Sequence, residues 1–197
     1  MDETPADTDE TEESGLAGQL LIAMPNIGDP RFDRTVIYVF NHQTTGAMGL
    51  IVNRVSDELK FGELLEQMKL EISADLEDTP VRFGGPVELE RGFVLHSPDY
   101  HQDDATMQID DEVSVTTTVD VLHAIAAGRG PERMLFALGY SGWGPGQLEK
   151  EIRQNGWLQC EADPDIVFDA QDDTKWARAL AQIGVDPSLL SSAGGSA

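Results

Sequence analysis

The sequence predicts a single mixed α/β domain of the α+β kind, and three observations support this prediction. The chain has 197 residues, of which 40% are hydrophobic, so it has the length and apolar content of one domain with one core. Its strand-like segments follow one another in pairs, unlike the strict strand–helix alternation of a parallel α/β fold. About four short segments with helical signals stand between these pairs, and the sequence contains no internal repeat.

The beginning of the chain is predicted to form three strands. The apolar run 19–24 and the β-branched, aromatic run 35–40 each have the composition of a strand. Residues 25–30 contain two prolines and a glycine, which predict a loop between the two strands. A short polar turn that includes Gly46 leads to a third strand over 47–53. The second and third strands are therefore predicted to form a hairpin.

The middle of the chain begins with a predicted helix over 59–68. Its apolar residues recur at helical spacing and form one stripe, and Ser56 or Asp57 is the predicted N-cap. Further on, Asp120 is the predicted cap of a helix over 121–127. The short strands of this region are predicted over 81–83, 92–96 and 113–119.

The last third of the chain is predicted to contain two helices and three strands. A strand over 134–139 precedes a glycine-rich turn and a helix over 147–155. Asp172 or Asp173 is the predicted cap of a last helix, which ends at Gly184. The two remaining strands are predicted over 157–160 and 166–168.

Both ends of the chain are predicted to lie outside the domain, which spans residues 17–190. Residues 1–16 contain seven acidic residues and no lysine or arginine, so they are predicted to be a disordered acidic tail. Residues 191–197 consist of serine, glycine and alanine and are predicted to be a flexible tail. The N-terminus has no secretory signal, and no apolar run reaches the roughly 18 residues of a membrane span. We therefore expect a soluble, cytoplasmic protein without a membrane partner.

The charge of the chain disfavours direct nucleic-acid binding. Thirteen lysines and arginines stand against 36 aspartates and glutamates, which gives a net charge of −23. Nucleic-acid-binding proteins attract phosphate with a basic face, whereas the basic residues of this chain are scattered among acids.

The single cysteine, Cys160, predicts no disulfide within the chain, which fits a reducing cytoplasm. Its acidic neighbours Glu161 and Asp163 are expected to raise the thiol pKa. We therefore expect Cys160 to be an unreactive, buried or half-buried side chain.

Ser141 raises the question of a catalytic nucleophile, because a glycine-flanked serine between a strand and a helix is the layout of a nucleophile elbow. The elbow requires glycine where this chain has Trp143. All four histidines precede Ser141, whereas the catalytic base follows the serine in that class of hydrolases. No catalytic residue is therefore assigned. Ser141 is predicted to lie in a strand-to-helix turn, where Tyr140 and Trp143, as exposed aromatics, are better candidates for contacts.

Charged residues between the first two strands form a second candidate site. Asp29, Arg31 and Arg34 lie in one loop, and Arg34 together with Asn53 and Arg54 would suit a phosphate or carboxylate. The alternative is structural: Asp29 would start a turn, and the arginines would tie loops to carbonyl or carboxylate groups.

Neither a metal site nor a cofactor site is predicted. His96 and His101, with Asp99 and Asp103 nearby, do not have helical spacing and have no cysteine partner, so an exposed loop is the better interpretation. The glycines at 84–86 have the spacing of neither a phosphate loop nor a dinucleotide-binding motif.

Two long segments carry a family resemblance. "GQLLIAMPNIGDPRFDRTVIYVFNHQTTGAMGLIVNR" (18–54) and "ALGYSGWGPGQLEKEIRQNGWL" (137–158) closely resemble the YqgE/AlgH family. The resemblance continues through residues 84–96, 120–131 and 176–186, so it covers nearly everything except the two tails.

The resemblance implies a compact α/β domain on a bifurcated, barrel-like sheet with flanking helices, in a bacterial, cytoplasmic protein. Some members are labelled transcriptional regulators and linked to alginate production. Members often end in a tripeptide with histidine and have Ala or Ser at the position of Ser141. This chain ends without histidine at 194–197, which weakens any pairing of Ser141 with a C-terminal histidine.

Three functions follow as hypotheses. The leading one is a non-enzymatic regulatory or protein-interaction module that contacts partners through the loop 25–34 and the turn 139–146. The second is a small-anion-binding protein or hydrolase that uses Arg34, Asn53 and either His96 or Ser141. The third, a regulator acting directly on DNA, rests on the family label alone. The identity of a partner and the oligomeric state stay open.

Overall fold

The computed structural model describes residues 15–25 and 27–190, so most of both predicted tails lies outside the described residues. In this part of the chain, ten strands form one sheet system, and six α-helices and two 3₁₀ turns surround it. The strands are β1 (Gln19–Ala23), β2 (Val36–Gln43), β3 (Gly46–Ile51), β4 (Val55–Lys60), β5 (Pro80–Phe83), β6 (Val87–His96), β7 (Thr106–Gln108), β8 (Ser114–Thr116), β9 (Met134–Trp143) and β10 (Trp157–Glu161). The helices are α1 (Phe61–Gln67), α2 (Ala74–Glu77), α3 (Val119–Ala126), α4 (Gln147–Arg153), α5 (Pro164–Phe168) and α6 (Asp172–Gln182), and the 3₁₀ turns are Pro30–Phe32 and Pro187–Leu189.

The sheet is mixed and curls into a half-barrel. Its strand order is β10-β1-β2-β3-β9-β6-β8-β7, and β4 and β5 branch from this path. All neighbours pair antiparallel except β5 and β9, which run parallel. The predicted hairpin is confirmed, because β2 and β3 pair antiparallel from Ile37 opposite Ile51 to Gln43 opposite Gly46.

The sheet divides at β9, as the family resemblance implied. One edge of β9 pairs with β6. The other edge pairs first with β5, where Phe136 lies opposite Val81, and then with β3, where Ser141 lies opposite Gly49. Two strands therefore share one edge of β9, and they separate near Gly139, whose φ of +71° lies in the left-handed region that favours glycine.

Gly84 lies at this division. Its amide donates to the carbonyl of Leu138 at 2.8 Å, and its carbonyl accepts from the amide of Ile51 at 2.9 Å. A Cβ atom at Gly84 would lie 2.3 Å from the carbonyl oxygen of Gly139, which is far inside van der Waals contact. The sequence Gly84-Gly85-Pro86 therefore serves a close approach of two backbones.

Both faces of the sheet are buried. Successive side chains of a strand point to opposite faces, and in β1 Leu20 and Ile22 join one apolar cluster while Leu21 and Ala23 join another. Helices α5 and α6 cover the first cluster, and Leu148 of α4 packs in the second. A third cluster brings α1 and α3 against β5, β6 and β9. The position of α4 on the second face is what shapes the main cleft described below.

Four helices of seven or more residues confirm the predicted number, and α2 and α5 are two further short ones. The predicted strand over 166–168 is wrong, because these residues belong to α5. The carboxylate of Asp163 accepts from the amide of Asp165 and Pro164 occupies the first turn, so helix-capping overrides the β-branched composition. Within the described ranges, none of the helices combines the length and the apolar character needed to cross a membrane.

Several predicted boundaries are also wrong, including the cap of the last helix, because Asp172 and Asp173 lie in the first turn of α6 and its cap position is Gln171. Ser56 and Asp57 do not cap α1, because they lie in the unpredicted strand β4, which pairs with β5. Asp120 lies in the first turn of α3 instead of capping it, and the cap position is Thr118. The strand predicted over 134–139 continues to Trp143, because β9 changes partner at Gly139 and does not end there.

Candidate functional site

A cleft of about 710 Å³ lies at one end of the sheet system. Its walls come from the loop that follows β1, the end of β9, helix α4, the start of β10 and the turn Pro187–Leu189. We call it the Trp–Glu cleft after the residues that organise it, which are Trp143, Glu151 and Trp157. The two segments predicted as contact surfaces, 25–34 and 139–146, both contribute to its lining.

Glu151 anchors both tryptophans. Its Oε2 accepts hydrogen bonds from Nε1 of Trp143 at 3.0 Å and from Nε1 of Trp157 at 2.9 Å. Its Oε1 accepts from Nε2 of Gln147 at 2.8 Å. The two indole rings meet edge to face with centroids 6.0 Å apart, a favourable geometry for an aromatic pair. The polar groups are thus paired with one another, and the arrangement is rigid before any ligand arrives.

The local sequence accounts for this geometry. Gly146 adopts a left-handed φ of +69° and starts α4, and the side chain of Gln147 accepts from the amide of Gly144 at 3.0 Å. Gln147 and Glu151 stand four residues apart, so they lie on the same face of the helix. Gly156 follows α4 and leads directly into Trp157 of β10.

The charged loop forms the opposite wall. The carboxylate of Asp29 accepts from the amide of Arg31 and so caps the first 3₁₀ turn, and it also accepts from the Arg31 guanidinium at 2.7 Å. Hydrogen bonds from Arg31 lower the pKa of Asp29, and the same pairing raises the pKa of Arg31. Phe32 packs edge to face on Trp157 at 5.6 Å, which ties this loop to the floor of the cleft.

The expectation that Tyr140 and Trp143 are exposed aromatics is wrong. Trp143 is only 7% exposed, and Tyr140 is half-buried and packs on Phe93 with centroids 5.8 Å apart. Both residues lie within β9 instead of a turn, so their side chains pack into the faces of the sheet. Trp143 reaches the cleft as part of its rigid floor.

Ser141 also lines the cleft but has no base. It lies in β9, is 1% exposed, and its hydroxyl donates to the carbonyl of Gly84 at 3.3 Å. No hydrogen bond joins any of the chain's four histidines, all in the described ranges, to Ser141 or Arg34. The geometry that a serine hydrolase requires is therefore absent from this part of the structure.

His96 is a buried structural residue. Its Nδ1 hydrogen-bonds to the carbonyl of Ser97 at 2.8 Å, and its Nε2 pairs with the hydroxyl of Thr116 at 2.9 Å. Burial lowers the pKa of His96, which favours the neutral ring. His101 is exposed beside Asp103. Among the described residues, no group of three or more His, Cys, Asp or Glu side chains is arranged to hold a metal ion.

Cys160 matches its prediction. The thiol is buried, and its pKa is raised to about 11, first by burial and then by Asp163 and Glu161. A thiol with such a pKa carries almost no thiolate near neutral pH, so it is a poor nucleophile.

Arg34, Asn53 and Arg54 meet in a second pocket of about 570 Å³, which we call the arginine pocket. Trp176 and Asp172 of α6 also line it. Nδ2 of Asn53 donates to the carbonyl of Arg34 at 2.9 Å, and the Arg54 guanidinium donates to the carbonyl of Asp33 at 2.6 Å. Both bonds tie the loop 25–34 to neighbouring side chains through its backbone carbonyls, which is the structural role predicted as the alternative to anion binding. Of the predicted site residues, Asp29, Arg31 and Trp143 line the Trp–Glu cleft and Arg34, Asn53 and Arg54 line the arginine pocket, whereas Tyr140 lines neither.

Several organising residues were missed by sequence reasoning. Glu151 and Trp157 belong to different elements, and their contact leaves no local pattern. Lys175 is completely buried. The sequence offered one indication of this burial, because Lys175 stands beside Trp176, which lies on the apolar face of the last helix. The ion-pair partner of Lys175, Asp172, stands at the start of α6, and Arg82 of β5 pairs with the same carboxylate, so the cluster appears only in the folded chain.

Comparison with known proteins shows the family of this chain. A family model, DUF179, described as AlgH-like, matches residues 20–188. A UPF0301 protein of Ruegeria pomeroyi is 54% identical over 183 residues, covering 92% of this chain and 99% of the relative. A UPF0301 protein of Methylobacterium sp. strain 4-46 is 51% identical over 189 residues, covering 92% of this chain and 90% of the relative.

Solved structures agree with this result. The solution structure of the AlgH protein from Pseudomonas aeruginosa matches with a TM-score of 0.76 and 42% identity, covering all of both chains. A protein of Corynebacterium diphtheriae, with 19% identity and a TM-score of 0.68 over 88% of each chain, shares the fold. With a family model over most of its length and relatives above 50% identity, this chain belongs to the AlgH-like family.

Proposed function

We propose that this protein is a non-enzymatic, cytoplasmic protein-interaction module that receives a segment of a partner protein in the Trp–Glu cleft. The observation that carries the proposal is the convergence of the loop 25–34 and the end of β9 on one cleft of about 710 Å³. This volume lies in the range of roughly 300–1,000 Å³ that is typical of ligand sites. A regulatory role would follow from the identity of the partner.

The composition of the cleft favours a protein ligand. Apolar side chains stand at the rim, with Leu189 79% exposed and Phe32 half-buried. The exposed polar side chains of Arg31, Gln154 and Asn155 line the same cleft. Protein interfaces commonly combine apolar contact residues with polar, solvent-accessible ones. The Glu151 network keeps the floor rigid, which reduces the entropy lost on binding.

The other hypotheses have less support. A hydrolase would need a base near Ser141, and no histidine is hydrogen-bonded to it in the described ranges. Direct DNA binding would need a basic face, whereas the chain carries a net charge of −23. The regulator label that the family resemblance implied names no site in this chain.

Crosslinking mass spectrometry on the tagged full-length protein tests the proposal. Captured partners are crosslinked, digested and mapped onto the chain. Contacts with the partner should concentrate within residues 25–34, 147–157 and 187–190, which surround the cleft. Contacts spread over the α1–α2 side of the molecule, or a protein that captures nothing above background, would contradict the proposal.

A further inference from the structure

The arginine pocket has features of a second, independent ligand site. We propose that it binds a small oxyanion, a carboxylate or phosphate compound, with Arg34 and Arg54 as its charged contacts. This site differs in position and chemistry from the Trp–Glu cleft, so either can exist without the other.

Contacts with Trp176 and Asn53 hold Arg34 in place at the pocket. Its guanidinium lies over the indole of Trp176, 5.5 Å from the ring centroid, and this contact restricts the long side chain. The backbone of Arg34 has a φ of +50°, a left-handed conformation that non-glycine residues rarely adopt. Asn53 fixes that conformation by donating to the Arg34 carbonyl at 2.9 Å. Within residues 15–25 and 27–190, no side-chain or backbone acceptor occupies the Arg34 guanidinium, whose five donors suit an oxyanion.

A buried ionic triad borders the pocket through Asp172. One guanidinium nitrogen of Arg82 donates to both carboxylate oxygens of Asp172, at 3.1 and 3.2 Å. The ammonium of Lys175 lies 3.1 Å from the same carboxylate and donates to the carbonyls of Val52 and Val167. The Arg82 and Lys175 side chains are 4% and 0% exposed, so water does little to offset their charges.

The triad has more positive than negative charge. Two cations share one carboxylate, and Nε of Arg82 is buried without a hydrogen-bond partner among the described residues. Burial lowers the pKa of Lys175 to about 8; Asp172 opposes that shift, and the charge of Arg82 adds to it. An anion at the mouth of the pocket would offset this charge through the low-dielectric interior.

The positive charge comes from behind the lining. The lining itself has two basic side chains, Arg34 and Arg54, and three acidic ones, Asp33, Asp172 and Asp173. Only with the buried cations of Arg82 and Lys175, which pair with Asp172, do four basic side chains stand against three acidic ones.

An NMR titration of the full-length protein tests the proposal, with inorganic phosphate and malonate as separate probes at constant ionic strength. The Nε–H signal of Arg34 and the indole N–H signal of Trp176 should shift and saturate with at least one probe, and that probe identifies the oxyanion class. Arg34→Gln should weaken the binding at least about tenfold, because it removes a charge-assisted contact. Arg54→Gln tests the second charged contact. If Arg34→Gln fails to fold, the probe affinity of Arg54→Gln is compared with that of the control variant instead.

Arg91 provides a matched control. It is exposed, lies over the Phe93 ring at 5.1 Å and pairs with Glu88, so Arg91→Gln removes a similar arginine away from the pocket. Binding by Arg91→Gln should stay within about twofold of the native chain. Linear, unsaturated shifts with both probes, or equal affinities of Arg34→Gln and Arg91→Gln, would overturn the proposal.

Discussion

Trp143 donates its indole N–H to the carboxylate of Glu151 at 3.0 Å, across the floor of the main cleft. Trp157 donates to the same oxygen, so one carboxylate fixes the end of β9 and the start of β10 to helix α4. The cleft owes its shape to this arrangement. The stability of the chain should therefore depend on a residue that lies at the surface of a short helix.

Glu151→Ala should destabilise the protein by about 2–4 kcal/mol, because two largely buried indole N–H groups lose their acceptor. Urea unfolding followed by tryptophan fluorescence measures this change. Gln154→Ala, an exposed substitution in the turn that ends α4, is the control and should stay within about 0.5 kcal/mol of the native chain. Equal stabilities of the two variants would show that Glu151 does not organise the cleft.

Asp172→Asn should destabilise the protein by about 3–5 kcal/mol, since it leaves the buried cations of Arg82 and Lys175 without a counter-charge. The neighbouring Asp173 is exposed in the same helical turn, and Asp173→Asn should lose less than about 1 kcal/mol. Chemical denaturation of both variants at neutral pH makes the comparison. A loss for Asp172→Asn no larger than that for Asp173→Asn would contradict the role of the triad.

Lys175 should give the stability of the protein a distinct pH dependence. Its pKa is about 8 in the folded chain, against an ordinary value of 10.5, so between these values the unfolded chain binds more protons than the folded chain. Stability from this residue therefore rises with pH from about 8 to about 10.5, and the penalty of the buried charge is fully present below pH 8.

Comparison of the native chain with Lys175→Met isolates this effect, because the other titrating groups are common to both. The difference in unfolding free energy should change in favour of the native chain by up to about 3 kcal/mol over that pH range. Urea unfolding at several pH values from 7 to about 10.5 measures it. Parallel pH profiles of the two proteins would refute the prediction.

Gly84→Ala should prevent folding or destabilise the protein by more than about 3 kcal/mol, because the new Cβ would lie 2.3 Å from the Gly139 carbonyl oxygen. Ser141→Ala removes the hydroxyl that donates to the carbonyl of Gly84. It should lose only about 1 kcal/mol, since that bond is long at 3.3 Å. Thermal unfolding of both variants measures the two losses of stability. A larger loss of stability for Ser141→Ala than for Gly84→Ala would show that the hydroxyl matters more than the close approach of the two backbones.

The sequence predicted the parts of the fold that depend on local patterns. The hairpin of β2 and β3 follows from two adjacent strand-like segments joined by a short polar turn with Gly46, and the four longer helices follow from apolar periodicity and helix-ending glycines. The strand predicted at 166–168 failed because Asp163 and Pro164 start a helix there. Capping residues outweighed the strand propensity of Ile166 and Val167.

The candidate site was less predictable, because it depends on contacts between distant residues. The segments 25–34 and 139–146 were predicted as separate surfaces, and only the folded sheet brings them to one cleft. The glycine-rich segment after Leu138 has the composition of a turn, yet Gly139 lets β9 exchange β5 for β3 and continue. Trp143 is therefore buried in a strand, where a turn would have exposed it.

The most direct test of the proposed cleft compares two exposed leucines. Leu189, 79% exposed, lines the cleft, whereas Leu89, 55% exposed, lies on β6 outside it. Tagged full-length Leu189→Asp, Leu89→Asp and native protein are used to capture partners, which are quantified by mass spectrometry. Our account predicts that Leu189→Asp loses at least about tenfold of the partner recovered by the native chain, while Leu89→Asp retains it. Equal recovery by the two variants, or loss with Leu89→Asp alone, would contradict it.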